Sequence, residues 1–181
     1  MKALFKQFAK ASRATKTIKK TADDDRVSDA FAEKIMLAVT GVNECVNCSY
    51  RHTKSALEQG VGVEEAVSIL KGELDEFPEE EAVALLYAQH WSDTGGDPDE
   101  NARKRVVDCY GEQKTIYIEC MMQLVYTGNL ISNTVEACRM RLRPQKGRFC
   151  FFLTVLLCMP IAFLIKSNTK SVQAVLKKKM N

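Results

Sequence analysis

Residues 41–65 read GVNECVNCSYRHTKSALEQGVGVEE, a cysteine-bearing segment held between two sets of glycines. Gly41 is a helix-ending residue, Asn43 a candidate N-cap, and Gly60 and Gly62 stop whatever begins there, so the spacing predicts a helix from Glu44 to about Glu58. Upstream, Val27, Ala30, Phe31, Ile35, Leu37 and Ala38 recur at helical spacing, which predicts a preceding helix that ends near Gly41. Downstream, Glu64 and Glu65 suit the first turn of a short helix over Val63–Leu70, closed by Gly72. Pro78 with Glu79, Glu80 and Glu81 opens a further helix running to about Ser92. Asp97-Pro98-Asp99-Glu100 opens a long helical region with a break expected at Gly128 and Asn129. No stretch alternates as a strand does. Four prolines and nine glycines are few for 181 residues, and the expected fold class is all-α.

Composition narrows the function. A hydrophobic fraction of 46% and a charged fraction of 27% exclude a disordered chain and a polytopic membrane protein. A net charge of +3 argues against a dedicated nucleic-acid binder. That small total hides an asymmetry: residues 1–20 carry seven Lys or Arg and no acid, 64–81 carry eight acids and one Lys, and 139–181 carry ten Lys or Arg and no acid. Basic ends of this kind suit either a solvated face or an anionic surface such as a phospholipid leaflet. Lys6 and Lys10 interrupt any N-terminal apolar run, so a signal peptide is not expected. With seven cysteines, an odd number, the chain reads as cytoplasmic and reduced. The stretch 149–165, FCFFLTVLLCMPIAFLI, is seventeen uncharged residues between Arg148 and Lys166. It suits a buried or interface helix, and equally membrane contact, with Pro160 as a kink.

The chemistry sits in Cys45-x-x-Cys48-x-x-x-His52. On a helix these three residues share a face, and a helix N-terminus stabilises a thiolate at that end. Two cysteines at this spacing close into a disulfide with little backbone movement, and an imidazole four residues after Cys48 can take its proton. Glu33, twelve residues before Cys45, is the candidate carboxylate, if the preceding helix packs antiparallel and the Gly41 loop folds it back. A zinc site lacks a fourth ligand, and a thioredoxin-like domain lacks its strands. His90 and Trp91 read as packing residues, and Cys109, Cys120 and Cys138 as small core residues. Cys150 and Cys158 fall in the apolar tract.

Glu33, then Cys45-x-x-Cys48-x-x-x-His52, then Gly60-Val61-Gly62-Val63-Glu64-Glu65, resembles the carboxymuconolactone decarboxylase-like family, and within it the alkylhydroperoxidase D branch. The similarity is specific from Phe31 to Leu70 and looser through the asparagines of 126–134. The resemblance implies an alkylhydroperoxidase D-like helical bundle over residues 23–144; outside it, the residues themselves read as a basic segment, 1–22, and an apolar and basic helical extension, 145–181. It implies a homo-oligomer, trimer or hexamer, acting on a peroxide with an external dithiol donor, without metal, haem or other cofactor and without nucleic acid. Cys48 would be the peroxidatic thiolate, Cys45 the resolving thiol, and His52 with Glu33 the proton relay. Asn47 stands where the family has a second histidine. The decarboxylase branch lacks the cysteine pair. The competing expectations are a non-enzymatic redox sensor or membrane-associated interaction protein, and a small-molecule-binding or isomerase-like relative.

Overall fold

The computed structural model describes residues 2–141, so the apolar tract 149–165 with Cys150 and Cys158 lies outside the described residues. The chain divides into two compact units, residues 1–134 and 135–181, and the packing below is that of the first. Among the described residues the regular elements are all helical: α1 (Lys2–Lys20), a 3₁₀ turn (Asp23–Asp25), α2 (Asp29–Val42), α3 (Val46–Glu58), α4 (Val63–Lys71), α5 (Glu79–Asp93) and α6 (Glu100–Arg141). The fold is all-α. None of the described helices is long and apolar enough to cross a membrane.

Local chemistry explains most of the boundaries. The Ser28 hydroxyl accepts from the Phe31 amide at 3.3 Å and starts α2. Gly72, at φ 82°, ends α4 in the left-handed conformation that lets the chain turn away without a Cβ clash. Pro78 serves as the N-cap of α5, one residue earlier than its expected place inside the helix. Asp99, not Asp97, caps α6, its carboxylate accepting from the Ala102 amide at 2.8 Å; this bond, ahead of the nearby cations, holds the Asp99 carboxyl below its ordinary range.

The break in α6 also moves. The backbone leaves helical geometry at Gly111 (φ 77°, ψ 163°), while Gly128 and Asn129 stay helical. A side chain would be strained at Gly111, whereas Gly128 sits in an ordinary helical position whose missing Cβ faces open space. The Arg103 guanidinium spans the break, 2.6 Å from Glu112 and 2.9 Å from Glu119, and Tyr87 of α5 donates to the same Glu119 at 2.7 Å.

Helix α2 is the hub, packed against α3, α4 and α5. Ile35, Leu37, Ala38 and Val39 are completely buried, as are Ile69 of α4, Leu85 of α5 and Val106, Ile118 and Met122 of α6. Trp91 is buried and meets Tyr126 edge to face at 5.6 Å. Helix α1 joins this body through buried Ala14 and through Ile18, and Gln123 of α6 donates to Gln7 at 3.0 Å. Two devices let α2 keep so many neighbours. Gly41 lies so close to α4 that a Cβ there would be 2.6 Å from the Leu70 carbonyl oxygen. Lys34, largely buried, reaches Glu65 of α4 at 2.6 Å and Glu81 of α5 at 2.7 Å, tying the three helices by charge.

Two expected outcomes follow from this hub. Gly41→Ala must push α4 away and should cost about 1–3 kcal/mol, read as a lower urea midpoint at unchanged slope. For Lys34, burial pulls the ammonium pKa down, but hydrogen bonding and attraction to Glu65 and Glu81 outweigh it, and the net shift is upward. A raised pKa means the contribution of Lys34 is fully present below the unfolded value of 10.5 and is lost as pH rises through the folded value. Wild type should therefore lose stability in that alkaline window more steeply than Lys34→Met, as measured by urea unfolding across pH 9–12.

Candidate redox site

The loop between α2 and α3 differs from its expected form in a way that matters for the cysteines. Asn43 does not cap α3. It is the C-cap of α2, and Cys45 itself occupies the N-cap position of α3, with the Ser49 amide bonding back to the Cys45 carbonyl at 2.8 Å. Between them Glu44 adopts φ 50°, a left-handed conformation that costs a non-glycine residue energy. The neighbourhood holds it there. The Asn43 amide group donates to the Val39 carbonyl and to the Ser92 hydroxyl, both at 2.8 Å, and Asn133 of α6 donates to the Asn43 carbonyl at 2.8 Å. Three helices thus pin the residues that precede the first cysteine.

Cys45 and Cys48 are joined in a disulfide, their Cα atoms 5.2 Å apart. Cys45 is fully buried and Cys48 retains 6% of its surface. A turn further along α3, His52 is equally buried. Its Nδ1 lies 2.9 Å from Glu33 Oε2, and the Ser55 hydroxyl donates to Glu33 Oε1 at 2.7 Å, so both carboxylate oxygens are engaged. Helix α2 does bring Glu33 back onto α3, as an antiparallel pairing requires. A neutral His52 that donates through Nδ1 to the carboxylate presents Nε2 as an acceptor. The Arg51 guanidinium stands 3.3 Å from that nitrogen.

All four residues singled out by spacing therefore lie on facing stretches of α2 and α3: Cys45 and Cys48 bonded, His52 and Glu33 paired. Ser55 and Arg51 were not singled out. Ser55 lies three residues after His52 on the same helix face, and that offset was the available signal. Asn43, Ser92 and Asn133 are separated by up to 90 residues and carry no local signature. Asn47 is exposed, turned away from the buried pair. Cys109 is exposed instead of lying in the core, and Cys120 and Cys138 are half-buried. Partial burial pushes the Cys109 thiol up, helped by Glu79 and Glu80, and burial does the same at Cys120, so both favour the unreactive protonated form. Trp91 packs in the core, and His90 lies 2.9 Å from Asp99.

A cleft of about 390 Å³ opens where the C-terminal ends of α2, α4 and α5 meet, bordered by Gly41, Leu70, Gln89 and His90. Cys45, Cys48, His52 and Glu33 do not line it. Among the described residues, no cluster of three or more His, Cys, Asp or Glu side chains is arranged to hold a metal ion. The chain matches no known protein-family profile, no curated protein and no solved structure.

The site makes a direct prediction about thiol reactivity. Alkylation of the native, unreduced protein should leave Cys45 and Cys48 untouched and modify the exposed Cys109 only slowly, faster as pH rises toward its raised pKa, and prior treatment with dithiothreitol should add two alkyl groups to the peptide carrying Cys45 and Cys48, read by mass spectrometry.

Proposed function

We propose that this chain is a thiol-dependent hydroperoxidase of the alkylhydroperoxidase D kind, a helical and oligomeric dithiol oxidoreductase. The observation that carries the reading is the coincidence of a Cys45–Cys48 disulfide with a buried His52, one turn further along the same helix, that is paired with Glu33 of α2. A buried imidazole oriented by a carboxylate, itself held by a serine, is an arrangement that serves proton transfer at a neighbouring thiol.

In the reduced form, His52 takes the Cys48 proton and the Cys48 thiolate attacks the terminal peroxide oxygen. The O–O bond breaks, and the alkoxide leaves with a proton from His52 as the alcohol, while Cys48 becomes a sulfenic acid. Cys45 then attacks the Cys48 sulfur and releases water, giving the disulfide seen here. An external dithiol closes the cycle: one of its thiolates attacks the disulfide, and its second thiol displaces the mixed disulfide, so two electrons and two protons return to the pair. The greater exposure of Cys48 than of Cys45 fits its role as the sulfur that meets peroxide. Glu33 keeps His52 in the tautomer that accepts at Nε2. Ser55 holds the other Glu33 oxygen, which wires the relay through α2 without a histidine at Asn47.

A second reading is favoured by the clamp on residues 43–45. A disulfide this buried, reached through a loop pinned by α5 and α6, suits a one-shot redox sensor whose oxidation state alters the loop. Turnover separates the two. Reduced protein given an alkyl hydroperoxide and excess dithiol should consume many equivalents per site. Cys48→Ser should abolish turnover, Cys45→Ser should stall after one oxidation, and His52→Asn should lower kcat/KM about 10²–10⁴-fold. One stoichiometric oxidation by wild type would overturn the enzymatic reading in favour of the sensor.

A further inference from the structure

Helix α1 has a face that the bundle does not use. Its inner side meets the body through Gln7, Ala14 and Ile18. At 100° per residue, Lys6, Lys10, Arg13, Lys16 and Lys20 fall within an arc of about 120° away from that side. Lys6, Arg13, Lys16 and Lys20 are exposed and Lys10 is half-buried. No acid occurs in residues 1–20, and among the described residues none of these five cations forms an ion pair. The hydroxyls of Thr15, Thr17 and Thr21 donate to α1's own backbone carbonyls. The face therefore presents cations alone.

We infer that this stripe docks the protein on an anionic phospholipid surface. From Lys6 to Lys20 the helix runs straight for about 21 Å, so all its cations can reach a plane together. Between Lys6 and Lys20 the gaps in that arc hold Ala9 and Thr17, with no aromatic ring or amide to stack on or read a base, which disfavours a nucleic acid. The eight acids of residues 64–81 would also oppose a polyanion long enough to wrap the molecule. The sequence supplies an independent pointer to lipid. The uncharged stretch 149–165 is bounded by Arg148 and Lys166 and lies in a tail with ten cations and no acid. Because the face is charged and not apolar, its contribution is electrostatic and reversible.

The test uses purified full-length protein floated with phosphatidylcholine vesicles, with and without about one third phosphatidylserine. Wild type should partition preferentially onto the phosphatidylserine vesicles, and that preference should collapse between about 0.1 M and 0.5 M salt. Removing Lys6, Arg13, Lys16 and Lys20 together as glutamines should reduce the preference about 600-fold, at about fivefold per charge. The pairs Lys6→Gln with Arg13→Gln, and Lys16→Gln with Lys20→Gln, should each cost about 25-fold, and helicity by circular dichroism should be unchanged. Equal partitioning onto both vesicle types, a preference that survives these substitutions, or tighter binding to a single-stranded oligouridylate than to vesicles would overturn the assignment, the last in favour of nucleic acid.

Discussion

Helix α2 must touch three other helices at once, and most of the molecule follows from how it does so. A helix offers one apolar stripe to a single neighbour, and three neighbours require either a wide apolar surface or polar groups that find partners inside. This helix uses both. Ile35, Leu37, Ala38 and Val39 are completely buried, which takes in more than one helix face. Lys34 carries a charge into the same region and is tolerated because Glu65 and Glu81 meet it from two sides. Gly41 removes the one side chain that would hold α4 off.

That packing also sets the site. With α2 locked between its neighbours, Glu33 has one direction in which to project, and it meets His52 and Ser55 of α3. The loop that joins the two helices inherits the same rigidity. Glu44 accepts an unfavourable backbone conformation because Asn43 is held by Val39, Ser92 and Asn133. The cost of that conformation is met by polar contacts from α5 and α6, so remote helices position Cys45 at the start of α3. The placement of the cysteines accordingly depends on groups far away in the chain.

The two faces of biological interest in this unit are physically different. The Cys45–Cys48 pair is buried, where a low local dielectric strengthens each hydrogen bond. The α1 stripe is wet and unpaired, where single contacts are weak and only their sum over several cations counts.

The sequence by itself determined the helical class, the order of the helices from residue 27 to residue 93 and the one-turn spacing of Cys45, Cys48 and His52, while helix α1 over the basic first twenty residues emerged only in the structure. These rest on short-range rules: helical recurrence of apolar residues, glycine stops, acids at helix starts, and the one-turn spacings that place Cys45, Cys48 and His52 on one face. Tertiary structure decided what those rules cannot express. The break in α6 falls at Gly111 and not at Gly128, because both are glycines to a local reading and only at Gly111 does the backbone depart from the helix. Asn43 faces both ways as a cap, and its bond to Ser92 gave it to α2 and left Cys45 to start α3. Cys109 reads as a core residue by type but lies on an exposed face of α6, which residue type alone does not reveal. The pairing of Glu33 with His52 spans nineteen residues and became certain only when the angle between α2 and α3 was set by the packing of α4 and α5 against α2.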